Sequence, residues 1–188
     1  MAVSTRLVGA LVLGFGLMAA PSRADSFVAP WIGVDAGSRI GSSAMDAGVN
    51  VGSTFGQIIG VDFDFGYAPD YFGSNLDSHV ITAMGNVTVG IPFGGTSAPR
   101  FRPYLTAGVG LIRTSIDVPR SNFSVASHDV GVNVGGGVMG FFASHIGVRA
   151  DLRYVHSTND DGGTTTPYGV IDLSRLHFWR TSFGLVLR

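Results

Sequence analysis

Eight stretches of this chain alternate apolar residues with polar residues or glycine at a period of two, and few folds accommodate that pattern. The clearest is IGVRADLRYVH, residues 146–156. Ile146, Val148, Ala150, Leu152 and Tyr154 share one face, and Gly147, Arg149, Asp151 and Arg153 share the other. A strand sends successive side chains to opposite faces, whereas a helix would mix Arg149 and Arg153 into the stripe of Ile146 and Leu152. The same alternation marks residues 30–38, 45–55, 58–67, 83–93, 101–113, 128–142 and 177–188. These segments exceed the roughly five to six residues of a typical globular strand and match the roughly 9–11 that a tilted strand needs to cross a bilayer.

The second face decides which side is wet. Charged residues make up 13% of the chain, about half the usual share of a soluble domain, and glycine contributes 28 of 188 residues. All basic residues are Arg and all acids are Asp; Lys and Glu are absent. A solvated sheet face would be rich in charge, but here the polar face is glycine, Asn and Thr with a few Asp and Arg. Asp35, Asp46, Asp62, Asp64, Asp129 and Asp151 nearly balance Arg102, Arg149, Arg153, Arg180 and Arg188 on that face. Inside a barrel these groups pair with one another. Facing lipid, each Arg near the midplane would cost about 2–4 kcal/mol. The charged face is therefore expected to point into a lumen and the apolar face to hydrocarbon.

Connections and aromatics agree. Links alternate between short ones near Phe55–Gln57, Gly94–Pro99 and Ala143–His145 and longer polar ones, the parity of short periplasmic turns and long extracellular loops. Phe55, Phe93, Phe101 and Phe142 fall at the short-turn ends, and Phe65, Tyr67, Tyr154 and Trp179 toward the long-loop ends, as two interfacial girdles do. Trp31 falls on the lumen face, against this rule.

The first residues read as an export signal: Arg6, an apolar run at Leu7–Ala20, and small residues at Ser22 and Ala24. Residues 1–24 are expected to be cleaved before Asp25, leaving 25–188 as one barrel domain. Without cysteine there is no disulfide framework, and a formal charge of −1 argues against a nucleic-acid partner. The expected fold is all-β: an eight-stranded antiparallel up-and-down transmembrane β-barrel.

RPYLTAGVGL, VNVGGGVMGFF, IGVRADLRYVH and FWRTSFGLVLR resemble the small eight-stranded bacterial outer-membrane barrels, the group containing the OmpA transmembrane domain and OmpX. The resemblance covers the mature chain and carries no catalytic residues. It implies an outer-membrane location, contact with outer-membrane lipids and lipopolysaccharide, and delivery by periplasmic chaperones and the insertion machinery. Family members usually end in an aromatic residue; this chain ends in Leu187-Arg188, with Phe183 further back.

Reactive chemistry is sparse. His79, His128, His156 and His177 fall at long-loop ends, where imidazoles could gather a metal, but spacing across loops is unconstrained and polar residues at a water interface account for them better. Asn159–Gly163, NDDGG, lacks the Glu and the spacing of a calcium loop. His156, Ser157 and Asp160 are a triad only on paper. GGGVMG lies within a strand, and without Lys there is no phosphate-binding P-loop. No catalytic, cofactor-binding or metal residue is assigned. The expected function is structural or surface interaction through the loops, with a filled lumen. A small-solute pore and a lipid A-modifying barrel enzyme are the alternatives.

Overall fold

The alternating segments all become strands, and they close on one another. The computed structural model describes residues 24–37, 43–56, 58–71, 77–93, 101–117, 124–158, 164–166, 169–171 and 176–188. The strands are β1 (Ala24–Gly37), β2 (Ala44–Phe55), β3 (Ile59–Pro69), β4 (Asp77–Gly90), β5 (Phe101–Asp117), β6 (Ser124–Phe141), β7 (Ile146–Ser157), β8 (Thr164–Thr166), β9 (Gly169–Ile171) and β10 (His177–Leu187). Eight of them form a closed barrel in the order β1-β10-β7-β6-β5-β4-β3-β2, every pair antiparallel. Closure pairs each backbone group with a neighbouring strand, which is what lets strands cross hydrocarbon. Among the described residues no helix is long and apolar enough to cross a membrane.

The register matches the alternation. On β7, Ile146, Val148 and Leu152 are exposed on the outer wall, whereas Arg149, Asp151 and Arg153 are buried inside. The same division holds for β1, where Ile32 and Val34 face out and Asp35 faces in. The aromatics expected in the girdles lie on the outer wall, exposed or partly exposed.

The long connections contain more strand than the sequence suggested. β5 and β6 run on to Asp117 and Ser124, so much of the polar segment after Arg113 continues the ladder. β4 begins at Asp77, six residues before the first alternating residue. The apolar–polar alternation is less regular in these stretches, while backbone pairing continues. The last long connection carries the β8–β9 hairpin. The NDDGG segment and the export signal lie outside the described residues.

The short turns are tight. Between β2 and β3 the Ile58 amide donates to the Phe55 carbonyl at 3.2 Å, and Gly56 takes φ +57°. A Cβ there would meet nothing within 4 Å, so backbone conformation, not space, calls for glycine.

Candidate functional site

The barrel interior is built in three layers. At the short-turn end Phe27, Ala29, Tyr104, Met139 and Val186 form one apolar cluster, with Phe141 packed against it. At the long-loop end Ala44, Ala68, Tyr71, Val80, Met84, Ile112, Val155, Leu176 and Phe178 form another. Between them lies a charged belt of Asp35, Asp46, Asp62, Asp64 and Asp151 with Arg149, Arg153 and Arg180, all buried.

Arg180 is the hub of the belt. Its Nε and Nη2 donate to the two oxygens of Asp35 at 2.9 and 3.1 Å. Asp35 and Arg180 sit directly opposite each other where the first strand meets the last, so a bidentate pair fastens the closing seam. Asp46 of β2 lies 2.5 Å from the same guanidinium, and Thr82 of β4 accepts from Nη1 at 3.1 Å. The guanidinium also sits over the rings of Trp31 and Phe178, 5.1 and 5.3 Å from their centroids.

Two further Arg residues span the lumen. Arg149 donates to both oxygens of Asp151, at 2.5 and 3.1 Å, and reaches Asn50 of β2 at 3.0 Å. Arg153 pairs with Asp151 at 3.2 Å and with Asp64 of β3 at 3.4 Å. A chain of amides completes the belt: Asn133 donates to Asn86, and Asn86 and Asn50 both donate to Asp62 Oδ1, at 2.8, 2.8 and 3.0 Å. Asn86 and Asn133 are separated by Gly108, their common register partner. The missing side chain at Gly108 opens the path between them, since its Cβ would fall on the Asn86 side chain.

Trp31 has a physical reason to face inward. Its side chain fills space left by three glycines on three other strands, β2, β3 and β10. A Cβ at Gly48, Gly66 or Gly184 would come within 2.7, 3.2 or 3.0 Å of Trp31 atoms. We expect Gly48→Val to destabilise the barrel by about 1–3 kcal/mol through overpacking, because the added atoms also meet the Phe65 carbonyl. Urea unfolding in lipid vesicles measures the loss, and Trp31→Phe in the same chain should recover part of it.

Three charges counted on the lumen face occupy its ends. Arg102 is buried at the short-turn end, where it donates to the Ile58 carbonyl at 3.3 Å. Arg188 is a correction: it lies on the short-turn rim, over the Phe141 ring, 3.5 Å from the exposed Asp25, and donates to the Ser144 carbonyl at 3.1 Å. As the terminal residue it has passed beyond the last interior layer. Asp129 is buried near the long-loop end, accepting from Ser127 at 3.2 Å. Tyr71, which the alternation could not flag, follows the end of β3, is fully buried and packs edge-on against Phe178 at 5.7 Å. Asp70 before it adopts φ 49°, a left-handed turn that Asp tolerates and that carries the chain back over the barrel mouth.

The histidines distribute around the outer wall. His156 and His177 are register partners with ring centroids 6.4 Å apart, joined by Tyr154 and Trp179. His79 lies beside Tyr67, and His128 opposite Arg113. Among the described residues no group of three His, Cys, Asp or Glu is placed to hold a metal. His156 and Ser157 do not converge either: Ser157 is buried facing inward, and its neighbour faces outward. Asp160 lies outside the described residues.

The sequence matches the outer membrane protein beta-barrel domain over residues 8–170. The chain belongs to this outer-membrane β-barrel family. It is thus a transmembrane β-barrel of the bacterial outer membrane. Solved barrels of the family's shape superpose on it. Neisserial surface protein A aligns with 87% of this chain and 97% of its own, at 16% identity and TM-score 0.67. The N-terminal barrel of Pseudomonas aeruginosa OprF aligns at 14% identity and TM-score 0.52, covering 86% of this chain and 96% of that one. Ail, the attachment invasion locus protein of Yersinia pestis, aligns at 13% identity and TM-score 0.52, covering 87% and 97%. No curated protein sequence matches the chain.

Proposed function

We propose that this barrel is a non-enzymatic surface protein, exported by its N-terminal segment, whose loops make contacts outside the cell and whose lumen does not conduct. The observation that carries the reading is the layered interior: an ion-paired belt held between two apolar clusters. Eight strands enclose a space that side chains can fill, whereas open porins use about 16–18. In planar bilayers the purified protein should give no steady large-conductance steps; reproducible porin-like steps would overturn the plugged interior.

On scaffolds of this kind the connecting loops commonly carry function. Two of the superposed barrels carry surface roles in their names, a surface protein and an attachment invasion protein, and Ail has been crystallised with the heparin analogue sucrose octasulfate. These likenesses support a surface-interaction role here. The reading includes lipopolysaccharide as the surrounding lipid and chaperones and insertion machinery during assembly. An epitope inserted between positions 160 and 161 should bind antibody on intact cells. The same epitope between Ser144 and His145 should bind only after the outer membrane is permeabilised. The reverse pattern would place the long loops in the periplasm and remove the surface role.

A further inference from the structure

Four arginines among the described residues are buried, and all four face the lumen. Arg149, Arg153 and Arg180 each hold a carboxylate. Arg102 holds none among the described residues. Its Nη2 donates to the Ile58 carbonyl, an acceptor already taken by the Gly90 amide at 2.7 Å. Its Nε is buried and has no hydrogen-bond partner among the described residues. The adjoining turn, residues 94–100, contributes Arg100 and no acid. A buried guanidinium without a counter-charge is costly, and an anion in contact with it lowers that cost.

The lumen wall beside Arg102 supplies further donors. Thr88 on β4 and Thr106 on β5 are register partners, and both are buried in the lumen. Thr106 is 3% exposed, and its hydroxyl has no hydrogen-bond partner among the described residues. Gly90 follows Thr88 by two residues on the same face. It lets the Arg102 guanidinium lie against the β4 backbone, because a Cβ there would fall on the guanidinium. The Thr88 hydroxyl leans over Gly60, where a Cβ would come within 2.5 Å of it. Two residues of strand rise about 7 Å. One ion with a contact on each side bridges that gap between the guanidinium over Gly90 and the two hydroxyls.

The surrounding charges favour an anion. Asp62, the nearest carboxylate by register, lies one row toward the belt and accepts from Asn50 and Asn86. Arg149 lies 4.9 Å from the ring centroid of Tyr104, the lumen residue between Arg102 and Thr106, and adds to the positive field. The Tyr104 hydroxyl is not counted as a donor, since it is turned toward Gly137 on β6.

We propose that the short-turn end of the lumen binds one monovalent inorganic anion, chloride, between Arg102 Nε and the hydroxyls of Thr88 and Thr106. The contacts would be charge-assisted hydrogen bonds of the kind the belt makes with carboxylates. The single charge follows from the single unpaired guanidinium. The small size follows from the crowding at Gly60 and Gly90. The site is separate from the loops and does not depend on their role.

Urea unfolding of the refolded protein in vesicles, with chloride replacing gluconate at constant ionic strength, tests it. An ion that binds only the folded state stabilises it as its concentration rises, so the folded-to-unfolded ratio near the midpoint should increase about tenfold. Arg102→Met should abolish the chloride effect, and Thr106→Val should at least halve it. Arg188→Gln, on the exposed rim, should leave it intact. The gel shift on boiling confirms that each variant has folded, and Thr106→Val decides the matter if Arg102→Met does not fold. Crystals grown in bromide should show an anomalous peak within hydrogen-bond reach of Arg102 Nε. A parent indifferent to chloride, or an equal chloride effect in the parent and both lumen variants, would mean that the anion acts as general salt and would overturn the site. Sulfate as effective as chloride would overturn its assignment to a small monovalent ion.

Discussion

Arg180→Met should cost the folded barrel about 3–5 kcal/mol, because it strands buried carboxylates without their cation. The side chains of Asp35 and Asp46 are fully buried and share this one guanidinium, at 2.9 and 2.5 Å. Asp64, 4.0 Å away, retains Arg153. The loss falls on the seam between β1 and β10, since Asp35 and Arg180 are register partners there. Urea unfolding of the refolded protein in vesicles measures it. Adding Asp35→Asn and Asp46→Asn to Arg180→Met should recover most of the loss, because neutral amides no longer require a counter-charge. A triple variant as unstable as the single one would mean that Arg180 acts through its packing between Trp31 and Phe178 and not through charge.

Val148→Arg should cost about 2–4 kcal/mol where the position lies near the bilayer midplane. Val148 is half-exposed on the outer wall, so the new guanidinium enters lipid. Arg149→Leu, one residue away, acts on the opposite face. It removes a cation from Asp151, but Arg153 still holds that carboxylate at 3.2 Å. Its cost should therefore be that of partly unsatisfied groups, about 1–3 kcal/mol, and below that of Arg180→Met. Because the energies overlap, accessibility provides the sharper measurement. Single Cys substitutions at positions 146, 148, 150 and 152, labelled with a fluorophore, should be quenched by a lipid-soluble quencher. Those at 147, 149, 151 and 153 should be shielded. The chain has no native cysteine, so each label reports one site. A reversed pattern, or one without a period of two, would contradict the register of β7.

Strand identity and facing were legible from residue order. Whether a side chain on a strand points in or out depends only on parity. Parity alone thus puts Asp35, Asp62, Arg149 and Arg180 in the lumen and Ile32, Val148 and Leu185 on the outer wall, with no knowledge of strand pairing needed. The aromatic girdles and the alternation of short and long links were legible for the same reason: a bilayer imposes its layers along every strand separately.

Which charge meets which was not legible. Arg149 bonds Asn50 across 99 positions of sequence, and Arg180 bonds Asp35 across 145. Those partnerships depend on the order in which strands close, on their mutual register and on how far each long side chain reaches across the lumen. Trp31 broke the girdle rule in the sequence, and its explanation lies in glycines on three other strands, Gly48, Gly66 and Gly184. Tyr71 carried no periodic signal, yet the turn at Asp70 brings it onto Phe178. Arg188 had the parity of a lumen residue, but only the barrel's finite height showed that it stands at the rim. By itself, the sequence determined the strands and the medium each face meets, because those are local consequences of a two-residue repeat. The tertiary structure decided the ion-pair partners and the glycine cavity for Trp31, because each depends on residues that only closure of the barrel brings together.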